Sequence, residues 1–460
     1  MPKHHKRKFC DPTITLEVPS EINCQGCITG KVTSDGVCPV EGAEVFFSSS
    51  LPNSVGFDPN PAITDNNGEY SSMVTVAPPL LGTVITIIAS TEVDNIPISD
   101  TEFTTVSCEL AAETVYVTNA LSNNVTAIDG QNNTPITTLP VQTLPQRVIV
   151  TPDGEFAYVA NAASASVSVI RVSDNTLVGN PITTGGGSVN LVATPDSRFV
   201  YVYNVEAKTV SVIAVSDSPS VIKNIDVGEG TGGPIPFKNI AITPDGQFVY
   251  VANTPDSTVS VIQTSNNVVI NTIPVPNFPL SIASTPDSKF VYIVSSNGEI
   301  TVIETSNQTI FDTIFNPAPN PQNLAITPNG EFLYVIGNSQ FVEAFRISDN
   351  TRIASIEISR ANFSLDIVIS PSSDFVYVIA NQNFVTFGSF NVIDVTTNTV
   401  MKQVQLGFAP RQMAINTDGS RVYVSNADPD NVEVIQTSNN ELIANIPAGG
   451  NGAQGIAVTP

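Results

Sequence analysis

The chain has 460 residues, with 18 Lys and Arg against 42 Asp and Glu, no Trp, 34 Pro and 28 Gly. Such a length exceeds one ordinary core and predicts two domains. The acid excess repels phosphate backbones and argues against a nucleic-acid partner, and no run approaches the ~18 apolar residues of a membrane-spanning helix.

Residues 1–12 carry Lys3, Lys6, Arg7 and Lys8 with no apolar stretch behind them, which reads as a disordered, solvated basic arm rather than a secretory signal. The five cysteines, Cys10, Cys24, Cys27, Cys38 and Cys108, all lie in the first quarter of the chain. Structural disulfides are one reading of them. A four-thiolate zinc site, built on Cys24-Gln-Gly-Cys27 with Cys38 and either Cys10 or Cys108, is a second. Free or intermolecular thiols are a third, with Cys10 on the arm placed for a covalent link to another chain. No other cofactor is expected.

Residues 13–110 hold short alternating runs (ITLEV, ITGKVTSDG, AEVFFSS, GEYSSMVTV, TVITIIAST, TEFTTVS) broken by Gly, Pro, Asn and Asp, the spacing of a β-sandwich. GKVTSDGVCPVEGAEVFF followed by ITDNNGEYSSMVTV resembles the carboxypeptidase-regulatory-like and bacterial immunoglobulin-like modules, with Asp65, Asn67, Gly68 and Tyr70 filling their turn. The resemblance implies a spacer or adhesion part without catalysis.

From residue 111 onward an apolar strand recurs around Tyr116, Tyr158, Tyr201, Tyr250, Tyr292, Tyr334, Tyr377 and Tyr423, at spacings of 42 to 49 residues. A β-rich period in the forties predicts a propeller with one four-stranded blade per repeat, so the fold class is all-β. Turns reading TPDG, TPDS, TPNG, SPSS and NTDG follow each inner strand, where Pro presets the first position, Asp or Asn bonds its own backbone and Gly accepts positive φ. A calcium loop would need more oxygen ligands than these repeats supply.

Over residues 114–460 the pattern of YVxN, VSVIDT, IPVG and AVTPDG resembles the YVTN family of β-propellers, whose tetrapeptide stands here as Tyr116-Val117-Thr118-Asn119. The Asn recurs at Asn161, Asn204, Asn253 and Asn426, whereas Ser295, Gly337 and Ala380 replace it, which puts a cap made by that side chain in doubt in three consecutive blades. Counting inner strands gives seven between tyrosines, and GIAVTP at 455–460 completes the blade that begins at Tyr116. Eight blades are therefore expected, with seven, the commoner number in the resembling family, as the alternative. The shared blade would remove two open sheet edges.

The loops entering the inner strands carry scarce cations, Arg147, Lys238, Arg360 and Arg411, together with Phe237, Phe278, Phe363 and Phe408. Cations and rings converging on one mouth suit a carboxylate, a phosphate or a sugar ring. Both histidines, His4 and His5, lie in the arm, so the propeller has no histidine base or metal ligand, and carboxylates such as Asp366 or Glu343 are the groups left for a hydrolase. No catalytic set or metal site is assigned.

These features together favour a non-enzymatic, surface-exposed binding or structural protein. In this reading a propeller stands on a β-sandwich stalk, meets protein or carbohydrate, and is anchored or self-assembled through Cys10. A spore surface would reconcile exposure with the absent signal, and a cytoplasmic location is the alternative. The competing function is a small-ligand sensor or lactonase-like hydrolase at the channel mouth.

Overall fold

A computed structural model describes residues 12–17, 21–22, 25–34, 38–39, 43–49, 55–58, 60–67, 69–76, 84–93, 96–106, 113–228, 238–315, 320–358, 363–381 and 387–460. The chain divides into two compact units, Met1–Ala112 and Glu113–Pro460. Among the described residues no helix is long and apolar enough to cross a membrane.

In the first unit two sheets face each other. One orders Pro12–Glu17, Gln25–Ser34, Glu69–Val76 and Val55–Asp58; the other orders Glu21–Ile22, Ile96–Val106, Val84–Val93, Glu44–Ser49 and Ala62–Ile63. Alternation buries one face of each, with Ile14, Leu16, Val32 and Tyr70 buried on the first and Val45, Phe47, Ile87 and Ala89 on the second. The Phe47 ring lies 5.6 Å from Phe57 and 5.7 Å from Tyr70 on the facing sheet. Asp65 forms the expected turn by accepting the Asn67 and Glu69 backbone N–H groups at 2.8 and 2.9 Å. Cys10, Cys24 and Cys108 lie outside the described residues, and of Cys27 and Cys38 only the strand backbones are described.

The second unit consists of eight four-stranded sets in chain order. We number the blades 1 to 8 from Thr114–Asn119. Blade 2 has a divided outer strand, Thr176–Leu177 and Ile182–Thr183. A single long strand, Thr399–Ile415, is the outer strand of blade 7 and then the inner strand of blade 8. Blade 1 closes the ring: Ala453–Val458 supplies its inner strand, with Val115, Tyr116 and Val117 paired antiparallel to Val458, Ala457 and Ile456. Reciprocal bonds of 3.0 Å from the Thr114 N–H to Thr459 Oγ1 and from the Thr459 N–H to the Thr114 carbonyl extend that junction.

No single core fills the ring. Among the described residues of the ring, the buried apolar side chains form eight clusters, each made from two neighbouring blades, including blades 8 and 1. Every cluster contains a repeat tyrosine, and all eight tyrosines are fully buried. A buried phenol needs an acceptor. Tyr116, Tyr201, Tyr250, Tyr292 and Tyr334 donate to Asn175, Asn267, Gln308, Asn350 and Asn398 at 2.5 to 2.9 Å. Each acceptor belongs to the turn between the third and outer strands of the next blade, and each has a left-handed backbone with φ between 52° and 58°. Asparagine tolerates that conformation better than other side-chain-bearing residues, so a single residue shapes the turn and receives the neighbour's phenol. Tyr423 closes the same circuit on Glu113 and the Gly130 carbonyl of blade 1. Two seams depart from this pattern: at Tyr377 the corresponding turn residue of blade 8, Asn440, keeps its buried Oδ1 without a partner among the described residues, and so does the buried Oη of Tyr158. Blade 3 turns there through Ser216-Asp217-Ser218-Pro219 and offers no amide.

Two sequence signals acquire geometry. In the TPDG and TPDS turns the Asp153, Asp196 and Asp245 carboxylates each accept the preceding Thr hydroxyl and the N–H two residues on. The YVxN asparagines, Asn119, Asn161, Asn204, Asn253 and Asn426, each donate Nδ2 to the side chains five and seven residues ahead, pinning the second strand to the third. At Ser295 that tie is missing and its buried hydroxyl has no partner among the described residues.

Burial raises all eight repeat phenols above the ordinary tyrosine value, Tyr201 and Tyr377 to about 12. An unfolded chain ionises these groups near pH 10 while the fold keeps them neutral. Stability from this source is therefore constant below about pH 10 and falls as the pH rises beyond it. Urea midpoints measured from pH 8 upward should be flat and then drop steeply, with phenolate absorbance appearing only as the fold is lost. Phenolate absorbance growing near pH 10 with native circular dichroism would contradict the burial.

Candidate functional site

The inner strands of blades 2, 3 and 5 to 8 are irregular near their start. Register shifts fall at Pro145/Arg147, Ser188/Asn190, Pro279/Ser281, Pro321/Asn323, Ser364/Asp366 and Pro410/Gln412. A bulge leaves one residue out of the ladder and re-aims its side chain. In blades 2 to 8 the residue just after this place, where the regular inner strand begins, is Arg147, Asn190, Asn239, Ser281, Asn323, Asp366 or Gln412, followed at once by the apolar strand. Blade 1 has Gly455, where a Cβ would lie 2.5 Å from the Gln146 carbonyl oxygen, so only glycine permits the approach of the two inner strands.

These residues bond round the ring from blade to blade. Asn190 Nδ2 donates to Asn239 Oδ1 at 3.1 Å, Ser281 Oγ to Asn323 Oδ1 at 3.1 Å, and Asn323 Nδ2 to Asp366 Oδ1 at 3.1 Å. The Met413 N–H of blade 8 donates to Asp366 Oδ2 at 2.9 Å, and the Ile456 N–H of blade 1 to Gln412 Oε1 at 3.2 Å. Asp366 is 2% exposed and also accepts the Ile367 N–H at 2.9 Å. Lys238 reaches from the entry of blade 4 to blade 7, its Nζ 3.3 Å from the Ile367 carbonyl oxygen and 3.8 Å from Asp366 Oδ1. That side chain spans the ring.

Two further cations share this end of the inner strands. Desolvation lowers the Arg147 guanidinium below its ordinary value, and the Asp366 charge offsets part of the effect. Desolvation also lowers Arg411, with no carboxylate opposing it. Its Nε is buried without a hydrogen-bond partner among the described residues. Arg147 and Lys238 therefore share one buried carboxylate, with Arg411 at the same end of the inner strands, in a protein that is strongly acidic elsewhere.

The aromatic residues expected here behave differently. Phe278 is half exposed on the entry loop of blade 5, Phe363 opens the inner strand of blade 7, and Phe408 stacks on Phe387 with centroids 4.0 Å apart. Phe387 belongs to the third strand of blade 7, outside the entry loops. Phe237 and Arg360 lie outside the described residues. Glu343 does not join Asp366; it accepts Arg352 Nε at 2.6 Å and Ser355 Oγ at 2.8 Å within its own blade. Among the described residues no group of His, Cys, Asp and Glu could hold a metal ion.

Asp366 joins blades 6, 7 and 8 and carries charge-assisted bonds worth about 1.5–3 kcal/mol each. Replacing it by Ala leaves the Met413 N–H and the Asn323 amide without their acceptor. Asp366→Ala should cost about 2–4 kcal/mol in chemical denaturation. A variant as stable as the parent would show that the carboxylate is not the hub of the ring.

A search of curated proteins finds no match to this chain. The family model described as "Lactonase, 7-bladed beta-propeller" matches residues 145–273, blades 2 to 4, while the sheet order here counts eight blades. Among solved structures, dihydro-heme d1 dehydrogenase NirN in complex with DHE has a TM-score of 0.63 at 16% identity, over 75% of each chain. AztD from Citrobacter koseri has a TM-score of 0.58 at 13% identity, covering 75% of this chain and 97% of the other. Kuenenia stuttgartiensis hydrazine synthase has a TM-score of 0.53 at 20% identity, covering 64% of this chain and 96% of the other. At such identities the likeness is one of fold, and the chain is similar to these proteins as a β-propeller.

Proposed function

We propose that the propeller is a non-catalytic binding module that holds a small carboxylate- or phosphate-bearing ligand at its axial mouth. The observation that carries this reading is Arg411, a desolvated guanidinium with no opposing carboxylate, at the same end of the inner strands as Arg147 and Lys238. A desolvated, unneutralised cation gains most from an anion that supplies its missing acceptors. Asp366 is occupied as an acceptor by three blades and Glu343 by its own outer strand, so neither stands ready as a general base.

A lactonase-like hydrolase is the second reading, supported by the family-model match that takes in Arg147 and Lys238. Surface display on the amino-terminal unit, with crosslinking through Cys10, belongs to the same proposal as the binding role. Its support is the sequence of the arm and the turn-rich first unit. A reductant-sensitive ladder on gels of protein from its native source, lost in Cys10→Ser, would accompany it.

The binding role is tested by calorimetry on the full chain with inorganic phosphate, citrate and gluconate, alongside a lactone hydrolysis assay. At least one anion should bind, and Arg411→Ala should weaken it about tenfold or more while leaving the melting temperature unchanged. Binding that is indifferent to Arg411→Ala, or lactone turnover by the parent, would overturn the reading.

A further inference from the structure

Away from the mouth, at the end of the blades where inner strands turn into second strands, a groove of about 550 Å³ opens between blades 5 and 6. Its walls are the Thr285-Pro286-Asp287 turn, Asn329-Gly330 of the next blade, and the Ile347–Asn350 turn. On its floor Phe290 and Phe311 pack with centroids 5.1 Å apart and planes at 51°. Phe311 remains 58% exposed.

Comparison among blades shows that this groove is particular. Strand register places Ile136, Ile222, Ile270, Ile353, Met401 and Ile443 at the position of Phe311 in the other blades with a continuous outer strand. The next position is Asp312 in blade 5 and Thr, Lys, Asn or Ala elsewhere. Among these described outer strands, blade 5 alone joins an exposed ring to a carboxylate there. A similar groove between blades 2 and 3 has its Phe199 ring capped by the Arg198 guanidinium at 5.5 Å.

Asp312 is held in place: Oδ1 accepts the Thr313 N–H at 2.8 Å and Oδ2 accepts Asn350 Nδ2 at 2.8 Å. Each oxygen keeps a second acceptor position. Asn350 is also the acceptor of the Tyr292 phenol, so the carboxylate is fixed to the seam between the blades. The charged groups lining the groove are Asp287, Asp312 and Asp349 against Lys289. That balance disfavours an anion and suits a ligand that donates many hydroxyl bonds without charge. A flat apolar platform beside oriented acceptors, in a groove of a few hundred Å³, matches a pyranose, whose C–H face lies on the ring while its hydroxyls reach the rim.

We propose that the groove between blades 5 and 6 binds a neutral saccharide, with Phe311 as the stacking platform and Asp312 as a hydroxyl acceptor. This site is separate from the axial mouth and stands or falls independently of it.

Saturation-transfer NMR and calorimetry on the full chain, with cellobiose, lactose and N,N′-diacetylchitobiose as probes, test the proposal. At least one probe should bind. Phe311→Ile installs the residue that most other blades carry, so the fold should melt as the parent does while affinity falls about tenfold or more. Asp312→Asn should weaken binding through the lost acceptor, and Arg411→Ala should leave it unchanged. Failure of all three sugars to bind overturns the proposal. So does undiminished affinity in Phe311→Ile, or loss of sugar binding in Arg411→Ala.

Discussion

The structure depends on its seams, five of which are crossed by the same hydrogen bond: a buried phenol from one blade meeting a left-handed amide residue in the next. Because the apolar clusters lie between blades rather than within a common centre, the ring is only as strong as its seams. Apolar packing supplies most of the attraction and is non-directional. The phenol supplies direction, since its oxygen must find the amide whose turn sets the far edge of the neighbouring blade. Closure by Ala453–Val458 then joins the two ends of the series into one ring.

A ring held at its seams leaves its axis to polar side chains. The polar residues that open the inner strands satisfy one another from blade to blade, and the few charges among them stand out against that neutral background. Asp366 is absorbed by the ring, whereas Arg411 is not. The same logic explains the groove between blades 5 and 6, where the repeat supplies Phe290, Tyr292 and Asn350 and two local departures, Phe311 and Asp312, convert a seam into a lined groove. Both proposed sites are built from departures from the repeat.

The repeat itself was open to reading from sequence. Tyrosine spacing, the TPDG turns and GIAVTP at 455–460 are local or periodic signals, and each has its expected place in the fold. The seam bond was not legible, because Tyr116 and Asn175 are 59 residues apart and Tyr201 and Asn267 are 66 apart, farther than one repeat, so no single repeat contains both partners. The polar ring left a signal that passes for turn chemistry: one polar residue ahead of the apolar inner strand in blades 2 to 8, as in NLVA, NIAI, DIVI and QMAI. Phe408 was visible as an entry-loop ring, but its stacking partner Phe387 comes from a third strand whose register only the fold reveals. The cysteine readings concern side chains outside the described residues.

The central claim is that the seam phenols bind the blades together by a directed bond and not by ring volume alone. It is tested most directly by comparing two identical deletions of a hydroxyl. Tyr334→Phe should cost about 1 kcal/mol in denaturant unfolding and couple with Asn398→Gly in a double-mutant cycle. Tyr158→Phe, which removes an oxygen with no partner among the described residues, should cost nothing or stabilise slightly. Equal costs at the two positions, or no coupling between Tyr334 and Asn398, would contradict the account.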